Sequence, residues 1–213
     1  MTKQSKDYHD YVFKNGSLLG EFDKMYQCSD QIPWHQDKTA FYIHSDICLY
    51  LIRLINPSSI CEVGCGLGIF TNRIYSETPI KKIAGIDISE TAIDQARKNN
   101  TKISYAVSDI RNSPHGNYEM VVFKEILWYV FQELYLVIQN ASDMMTDEGY
   151  LLISQSFPDT ETYIGSDVIS SPEHLVKIFS EHFTLIYFLE SREARFGLER
   201  CVNLLFQKKS CSK

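Results

Sequence analysis

The sequence feature that most restricts the fold is a run of three alternate glycines directly after a short apolar stretch. Residues 60–63 read Ile-Cys-Glu-Val, and Gly64, Gly66 and Gly68 follow them. Glycine lacks a Cβ, so its backbone can turn sharply and can approach a ligand closely. A helical pattern begins at Ile69, immediately after the last glycine. This order of strand, glycine turn and helix predicts a ligand-binding cradle at the end of a buried strand.

Short β-branched stretches alternate with helical patterns from residue 58 onward. This alternation is typical of an α/β fold, here a Rossmann-like, mostly parallel sheet with helices on both faces. The predicted strands are 59–63, 82–87, 103–107, 119–124, 149–155, 184–190 and 200–208. The predicted helices are 39–54, 69–76, 90–98, 131–145 and 172–181.

The last two predicted strands are joined by the polar segment 191–197. Such a segment is too short for a crossover helix, so these strands are expected to pair antiparallel. The prediction is therefore a seven-stranded sheet with one antiparallel C-terminal strand.

The chain divides into an N-terminal cap or lid at residues 1–38 and one domain at 39–213. Residues 1–38 contain aromatic and polar residues without a clear period. The helix predicted to open the domain has an apolar face that ends before Pro57, where proline stops it. That face consists of Phe41, Ile47, Tyr50, Leu51 and Leu54.

The composition excludes several classes of protein. Hydrophobic residues make up 44% and charged residues 23% of the chain, as in ordinary globular proteins. No apolar run suits a membrane span, and no secretory leader is recognised at the N-terminus, so a cytoplasmic protein is expected. The net charge of −6 argues against a large nucleic-acid surface and favours a small-molecule ligand. The oligomeric state stays open.

The six cysteines are scattered, and none forms a CxxC pair or a zinc-binding spacing. Reduced thiols are therefore expected, and no metal site is predicted. Cys65 is interpreted as a small residue that fills space within the turn, not as a nucleophile.

Two cofactors compete for the glycine turn. A dinucleotide-binding turn has the spacing G-x-G-x-x-G, but here the sixth position is Ile69 and the spacing is G-x-G-x-G. Glu62 also precedes the first glycine by two positions. Its carboxylate would repel a pyrophosphate, whereas it suits a ligand with a cationic amino-acid group. The turn thus favours a zwitterionic ligand.

This stretch resembles the first motif of the class I S-adenosylmethionine (SAM)-dependent methyltransferases, and the likeness extends over about residues 39–208. The resemblance implies that Asp87, about 20 residues beyond the turn, binds the ribose hydroxyls. It also implies that Asp109 accepts a hydrogen bond from the adenine amino group and that Ile88 and Ile110 sandwich the ring. The candidate cofactor-binding residues are Trp34, Glu62, Gly64, Cys65, Gly66, Gly68, Asp87, Ile88, Asp109, Ile110 and Glu125.

Residues 124–129 follow the fourth predicted strand, where the resemblance places the transferable methyl group. They lack the N/D-P-P-Y/F signature of enzymes that methylate exocyclic amines of bases. A narrower likeness, carried by Tyr26, Pro33-Trp34, 62–65 and 125–129, is to the nodulation-type N-methyltransferases, which act on sugar amines. Tyr26 and Trp34 are either core aromatics of the cap or part of a lid over the cofactor.

The acceptor pocket is expected between the N-terminal cap, Trp128-Tyr129 and the loop 155–163. Methyl transfer from a sulfonium depends mainly on alignment, and a base is needed only for a hydroxyl acceptor. The candidate catalytic residues are Glu125, Tyr129 and His35, with His115 as a further candidate for proton transfer.

The sequence therefore predicts a SAM-dependent methyltransferase that acts on an N or O nucleophile of a small molecule, such as a sugar or a natural-product intermediate. S-Adenosylhomocysteine (SAH) would be its product. Two alternatives stay open at this point. One is a protein or RNA methyltransferase, and the other is a SAM-binding sensor or scaffold without catalysis.

Overall fold

The computed structural model describes residues 7–112, 116–160, 162–192 and 200–210. Its strands form a small hairpin and one large sheet. The hairpin contains β1 (Phe13–Lys14) and β2 (Ser17–Leu18). The large sheet contains β3 (Ser59–Val63), β4 (Lys82–Asp87), β5 (Ser104–Val107), β6 (Tyr118–Lys124), β7 (Met145–Phe157), β8 (Phe183–Arg192) and β9 (Arg200–Lys208).

The α-helices surround this sheet and build the N-terminal segment. They are α1 (His9–Val12), α2 (Phe22–Cys28), α3 (Gln36–Thr39), α4 (Ile43–Ile55), α5 (Ile69–Glu77), α6 (Glu90–Asn99), α7 (Leu127–Val130), α8 (Leu134–Asp143) and α9 (Pro172–Phe179). Short 3-10 turns lie at Pro33–His35, Ile110–Asn112 and Phe131–Glu133.

The strand order of the large sheet is β5-β4-β3-β6-β7-β9-β8. The strands from β5 to β7 pair in parallel, and β9 runs antiparallel to both β7 and β8. The predicted fold class, with one antiparallel C-terminal strand, is confirmed. Strand order reverses between β3 and β6, and open α/β sheets bind ligands at the carboxyl ends of strands beside such a switch.

Apolar side chains cover both faces of the sheet. On β6, Val121 and Phe123 face the layer that contains α8 and α9, whereas Met120 and Val122 face α4, α5 and α6. All four side chains are fully buried. A strand buried on both faces reads as a continuous apolar run, which is why this strand could be recognised from its sequence.

The face that α4 buries differs from the predicted one. Of the predicted face, Leu51 is buried and Ile47 half-buried, but Phe41, Tyr50 and Leu54 are exposed. His44 and Cys48 are buried against the sheet instead. The helix is apolar on most of its circumference, so periodicity alone did not define its orientation. Its start also differs, because extended backbone at Tyr42 (φ −78°, ψ 160°) separates α4 from α3.

Two other boundaries were predicted incorrectly. The stretch 131–145 was expected to be one helix, but it begins as a 3-10 turn at Phe131–Glu133 and continues as α8, which ends at Asp143. Met145 already belongs to β7, whose start had been expected at residue 149. The remaining predicted helices and strands end within a few residues of the observed elements.

The described part of the N-terminal segment packs through an aromatic cluster. Tyr8, Val12 and Met25 are buried in it, and Phe22 and Trp34 pack against them. Asp23 ties this segment to α6, because its carboxylate accepts hydrogen bonds from Ser89 Oγ (2.8 Å) and Thr91 N (2.9 Å). The division of the chain at residue 38 stays a prediction.

Among the described residues, no helix combines the length and the apolar character that crossing a lipid bilayer requires.

Gly68 fixes how closely α5 approaches the sheet. Its φ is +72°, and a Cβ there would lie 2.5 Å from Tyr105 Oη and 2.9 Å from Ala96 Cβ. Tyr105 Oη also donates a hydrogen bond to Gly68 O at 3.3 Å. Gly16 has a similar φ of +76°, but its Cβ would meet nothing within 4 Å.

We expect Gly68→Ala to lower the free energy of unfolding by about 2–4 kcal/mol, since backbone strain and overpacking add. Gly16→Ala is the matched control and should lose only about 1 kcal/mol, because it has the strain without the clash. Urea denaturation of both variants measures the difference. Equal losses would show that Gly68 does not set this packing distance.

Candidate active site

A cavity of about 630 Å³ opens at the carboxyl ends of the central strands, beneath the N-terminal segment. This volume lies within the usual range for small-molecule sites. Most of the predicted site residues line it, namely Trp34, His35, Glu62, Gly64, Cys65, Asp87, Ile88, Asp109, Ile110, Glu125 and Tyr129. The structure thus brings together residues that the sequence places on four different strand ends.

Glu62 is a buried carboxyl group near the end of β3. It is 3% exposed, and Thr71 Oγ1 donates a hydrogen bond to its Oε2 at 2.5 Å. Burial raises the pKa of Glu62 to about 7, although Thr71 and the charge of Lys124 act in the opposite direction. A cationic partner strongly stabilises a carboxyl group in this environment, because the positive charge favours the ionised form over the protonated form.

Lys124 provides the opposite charge in the same cavity. It ends β6, beside β3 in the sheet, and its Nζ lies 5.5 Å from the centre of the Phe70 ring. Lys124 lowers the pKa of Glu62 through its charge. One acidic and one basic group on neighbouring strand ends suit a ligand that carries both an ammonium and a carboxylate.

Asp87 ends β4 and closes the glycine turn against that strand. Its Oδ2 accepts a hydrogen bond from Gly66 N at 2.8 Å, and its Oδ1 accepts one from Ser89 N at 2.9 Å. Burial raises the pKa of Asp87, and these backbone hydrogen bonds oppose the rise. Ser89 caps α6 by accepting a hydrogen bond from Ala92 N, so Asp87 is not needed as the cap.

The three glycines have different roles. Gly64 is exposed to the cavity, whereas Gly66 and Gly68 are buried and do not line it. A Cβ on Gly66 would lie 2.5 Å from Gln36 Nε2 and 2.6 Å from Tyr26 Oη. All three glycines therefore shape the turn, but of the three only Gly64 lines the cavity.

The carboxylate of Asp109 forms an ion pair with a neighbouring arginine. Its carboxylate pairs with the Arg111 guanidinium at 2.7–3.0 Å and accepts a hydrogen bond from Arg111 N at 2.9 Å. Burial works to raise the pKa of Asp109, but the hydrogen bonds and charge of Arg111 outweigh it and lower the pKa. A carboxylate offers about four acceptor positions, so most of those of Asp109 are already used.

Glu125 is held as a structural group. Its carboxylate accepts hydrogen bonds from Gln155 Nε2 (3.0 Å), Ser156 N (3.0 Å) and Ser156 Oγ (2.8 Å). The backbone of Glu125 has a φ of +57°, and its N donates to Ser154 O at 2.8 Å. These contacts join the loop after β6 to β7, so Glu125 is poorly suited to act as the base that the sequence suggested.

The other two candidate bases, Tyr129 and His35, have different surroundings. Tyr129 packs against Trp34, with ring centres 5.4 Å apart, and burial raises its pKa. A phenol with a raised pKa is a weaker source of phenolate at neutral pH. His35 lines the cavity but is largely exposed, in a left-handed backbone conformation (φ +48°). His115 lies outside the described residues.

Trp128 was predicted to form part of the wall of the acceptor pocket, but the structure places it elsewhere. Trp128 does not line the cavity. It stacks edge-on against Phe157 and Tyr163, and its Nε1 donates a hydrogen bond to Ser156 O at 2.9 Å. Tyr129, on the following position, faces the cavity instead. Trp34 also lines the cavity while packing on other aromatics, so both interpretations of this residue describe part of its surroundings.

Several lining residues were missed by the sequence analysis. They are His44, Lys124, Arg111, Ser191 and Cys201. Lys124 could have been found from its position at a strand end, as Asp87 was. His44 lies within the predicted helix 39–54, and Ser191 and Cys201 reach the cavity through the pairing of β8 with β9. No local motif marks these three residues.

A family described as "Methyltransferase domain" matches residues 56–187. Malonyl-[acyl-carrier protein] O-methyltransferase 1 of Ilyobacter polytropus is 29% identical over 103 residues, which are 46% of this chain and 35% of that protein. The type II methyltransferase M.NspV of a Nostoc species is 28% identical over 140 residues, 62% of this chain and 28% of that protein. The chain thus spans about a third of the length of these relatives.

Among solved structures, the N-methyltransferase NodS of Bradyrhizobium japonicum, crystallised with SAH, has a similar fold. The TM-score is 0.69 at 22% identity, over 88% of this chain and 97% of that one. This likeness concerns the fold. The family match covers the stretch from the residue before Pro57 into β8 and confirms the resemblance recognised in the sequence. The chain belongs to the methyltransferase domain family.

Proposed function

We propose that this protein is a SAM-dependent methyltransferase that acts on an N or O nucleophile of a small molecule. The observation that carries the proposal is the pair of buried carboxyl groups, Glu62 and Asp87, on adjacent strand ends of one cavity. Family membership and the fold shared with a SAH-bound N-methyltransferase support it.

The residues present fit SAM. Glu62 would hold the ammonium of its amino-acid part and Lys124 the carboxylate, while Asp87 would hold the ribose. Ile88 and Ile110 would contact the adenine, and the 44% exposure of Ile88 agrees with a side chain that faces a ligand. The role of Asp109 toward the adenine amino group stays a prediction, and the Arg111 guanidinium already pairs with its carboxylate.

SAM supplies an activated methyl group when it is bound, and the chain aligns the acceptor with it and keeps water away. Phe22 and Trp34 of the N-terminal segment would exclude water together with Tyr129 of α7, because the three rings meet over the cavity with centres 5.4–6.2 Å apart. An amine acceptor needs only to have lost its proton before transfer. A hydroxyl acceptor needs a proton acceptor, and Glu125 and Tyr129 are poorly suited to that task.

A small acceptor agrees with the shape of the site. Gln36 Oε1 accepts a hydrogen bond from Leu67 N at 3.0 Å, and Gln36 Nε2 donates to Tyr26 Oη at 2.8 Å. These bonds connect the N-terminal segment to the glycine turn. Together with Asp23, they hold the segment over the cavity, where a bulky macromolecular substrate would have to displace it. A sugar amine or a natural-product intermediate fits this arrangement.

We expect Glu62→Gln to weaken SAH binding about 10- to 100-fold, because a charge-assisted contact to the ammonium is lost. Wild-type affinity should rise from about pH 6 to about pH 8 as Glu62 ionises, and that rise should be absent in the variant. Calorimetry measures both effects. Glu90→Gln, an exposed change at the start of α6, is the control. Tighter binding of NAD than of SAH would contradict the proposal.

The same substitution should stabilise the ligand-free protein at high pH. The pKa of Glu62 is about 7 in the folded state and near its usual value of 4.5 when unfolded. The folded state then binds more protons, so this group's contribution to stability is lost as pH rises from about 4.5 through 7. Glu62→Gln removes that loss. Urea denaturation at about pH 5 and about pH 8 should show a variant that gains over wild type only at the higher pH.

Labelled-methyl transfer from SAM to fractionated cell extract should label a small-molecule fraction. Asp87→Asn should reduce the labelling in parallel with SAH affinity, whereas Glu90→Gln should not. Label in protein or RNA would instead identify a macromolecular acceptor. SAH binding without label in any fraction would favour a sensor or scaffold over an enzyme.

A further inference from the structure

We propose that His44, Glu125 and Cys201 form a binding site for a zinc-class divalent metal ion in the wall of the cavity. One donor atom from each residue lies within 4.8 Å of the other two. All three residues line the cavity described above. No metal was expected from the sequence, because the three residues are far apart in the chain and follow no ligand spacing.

The fold itself brings these donors together. His44 comes from α4, Glu125 from the loop after β6, and Cys201 from the start of β9. In the sheet, Cys201 is paired with Ser156 of β7 on one side and with Ser191 of β8 on the other. Two of the three donors therefore lie on a helix and a strand, which hold a metal ligand more precisely than a loop does.

The imidazole of His44 supports the proposal independently. His44 is 8% exposed, and its Nε2 has no hydrogen-bond partner among the described residues. A buried polar atom without a partner is unfavourable and calls for an explanation. A bound metal ion would supply such a partner.

The carboxylate of Glu125 is oriented as a ligand would be. Gln155 and Ser156 donate hydrogen bonds to it, and such contacts commonly fix the groups that bind a metal. Its Oε1 lies 4.0 Å from Cys201 Sγ. Loss of the thiol proton to solvent on metal binding would give two negative charges, which balance a divalent ion. Lys124 also lines this wall and would repel a cation. The two negative charges of Glu125 and Cys201 limit that repulsion.

The donor types select the metal. One nitrogen, one oxygen and one sulfur donor suit zinc and its substitute cobalt(II), whereas magnesium and calcium prefer oxygen ligands only. Zinc ligands lie about 2.0–2.3 Å from the ion, so donor atoms around it are roughly 3.3–3.8 Å apart. Binding would thus draw the donor atoms together by about 1.5 Å at most.

Three protein ligands leave a fourth position on a tetrahedral ion, and here that position would face the cavity. Zinc sites of this kind lower the pKa of a bound hydroxyl, water or thiol. Such an ion would supply the activation that Glu125 and Tyr129 cannot give to a hydroxyl or thiol acceptor. This catalytic role depends on the proposed methyltransferase function, but binding of the ion does not.

The experiment uses the full chain after treatment with a chelator and titrates it with zinc chloride by calorimetry and with cobalt(II) chloride by absorbance. We expect one equivalent of each metal and a thiolate-to-cobalt charge-transfer band. Cys201→Ser should abolish the band, and His44→Ala should weaken binding about tenfold or more. Cys28→Ser and His182→Asn are controls that should change neither. Thermal unfolding of each metal-free variant identifies any that fails to fold.

Absence of a stoichiometric complex with wild-type protein would overturn the site, as would a band that survives Cys201→Ser but disappears in Cys28→Ser. If zinc binds while labelled-methyl transfer is the same with and without chelator, the catalytic role is wrong. If zinc binds while SAH does not, the proposed methyltransferase function fails and the metal site stands.

Discussion

The hydrogen bond from Gly66 N to Asp87 Oδ2 is the contact on which the arrangement of the cavity depends. It joins the turn after β3 to the end of β4, beside two further bonds from Gly64 N and Cys65 N to Ile86 O. The turn can make these bonds because the three glycines all adopt positive φ angles. With the turn held in this way, α5 starts beside the sheet and places Thr71 within hydrogen-bond reach of Glu62.

The two glutamates of the cavity have different surroundings, and the sequence alone does not reveal this difference. Glu125 accepts hydrogen bonds from a backbone N–H and two side chains, so its charge is compensated within the protein. Glu62 has one side-chain donor, Thr71, and its pKa is raised to about 7 by burial. A charge that the protein compensates is structural, whereas one that it leaves largely uncompensated destabilises the empty site and is available to a ligand. On this ground Glu62, and not Glu125, is the carboxylate of the pair that we propose for the ammonium group of the cofactor.

The cofactor half of the site could be predicted because its residues are local in sequence. Glu62, Asp87 and Asp109 each lie at or just beyond a strand end, and the carboxyl ends of parallel strands meet at one edge of the sheet. Predicting the strands was therefore enough to bring these residues together. The hydrogen-bond partners of these side chains could not be predicted in the same way. Nothing in a linear pattern shows that Arg111 occupies the carboxylate of Asp109, since the pairing depends on the local backbone after β5.

The opposite half could not be predicted because long-range packing builds it. The face of α4 that meets the sheet carries His44 and Cys48, a pattern that gives no apolar stripe at this part of the helix. Asn203 Nδ2 fixes that face by donating to His44 O at 2.9 Å across more than 150 residues of sequence. Periodicity measures apolar spacing and cannot detect a helix face held in place by such polar contacts.

The antiparallel strand explains why the last part of the chain reaches the cavity at all. In a fully parallel sheet, the first residues of a strand lie at the edge away from the ligand. Because β9 runs opposite to β7 and β8, its first residues lie beside the last residues of those strands, and Ser156, Cys201 and Ser191 share one row. The fold thus places Cys201 of β9, which no strand-end motif specifies, in the wall of the cavity that Glu62 and Asp87 also line. Under the proposed function, residues of this wall can vary the space for an acceptor while the glycine turn and its contacts to β4 stay the same.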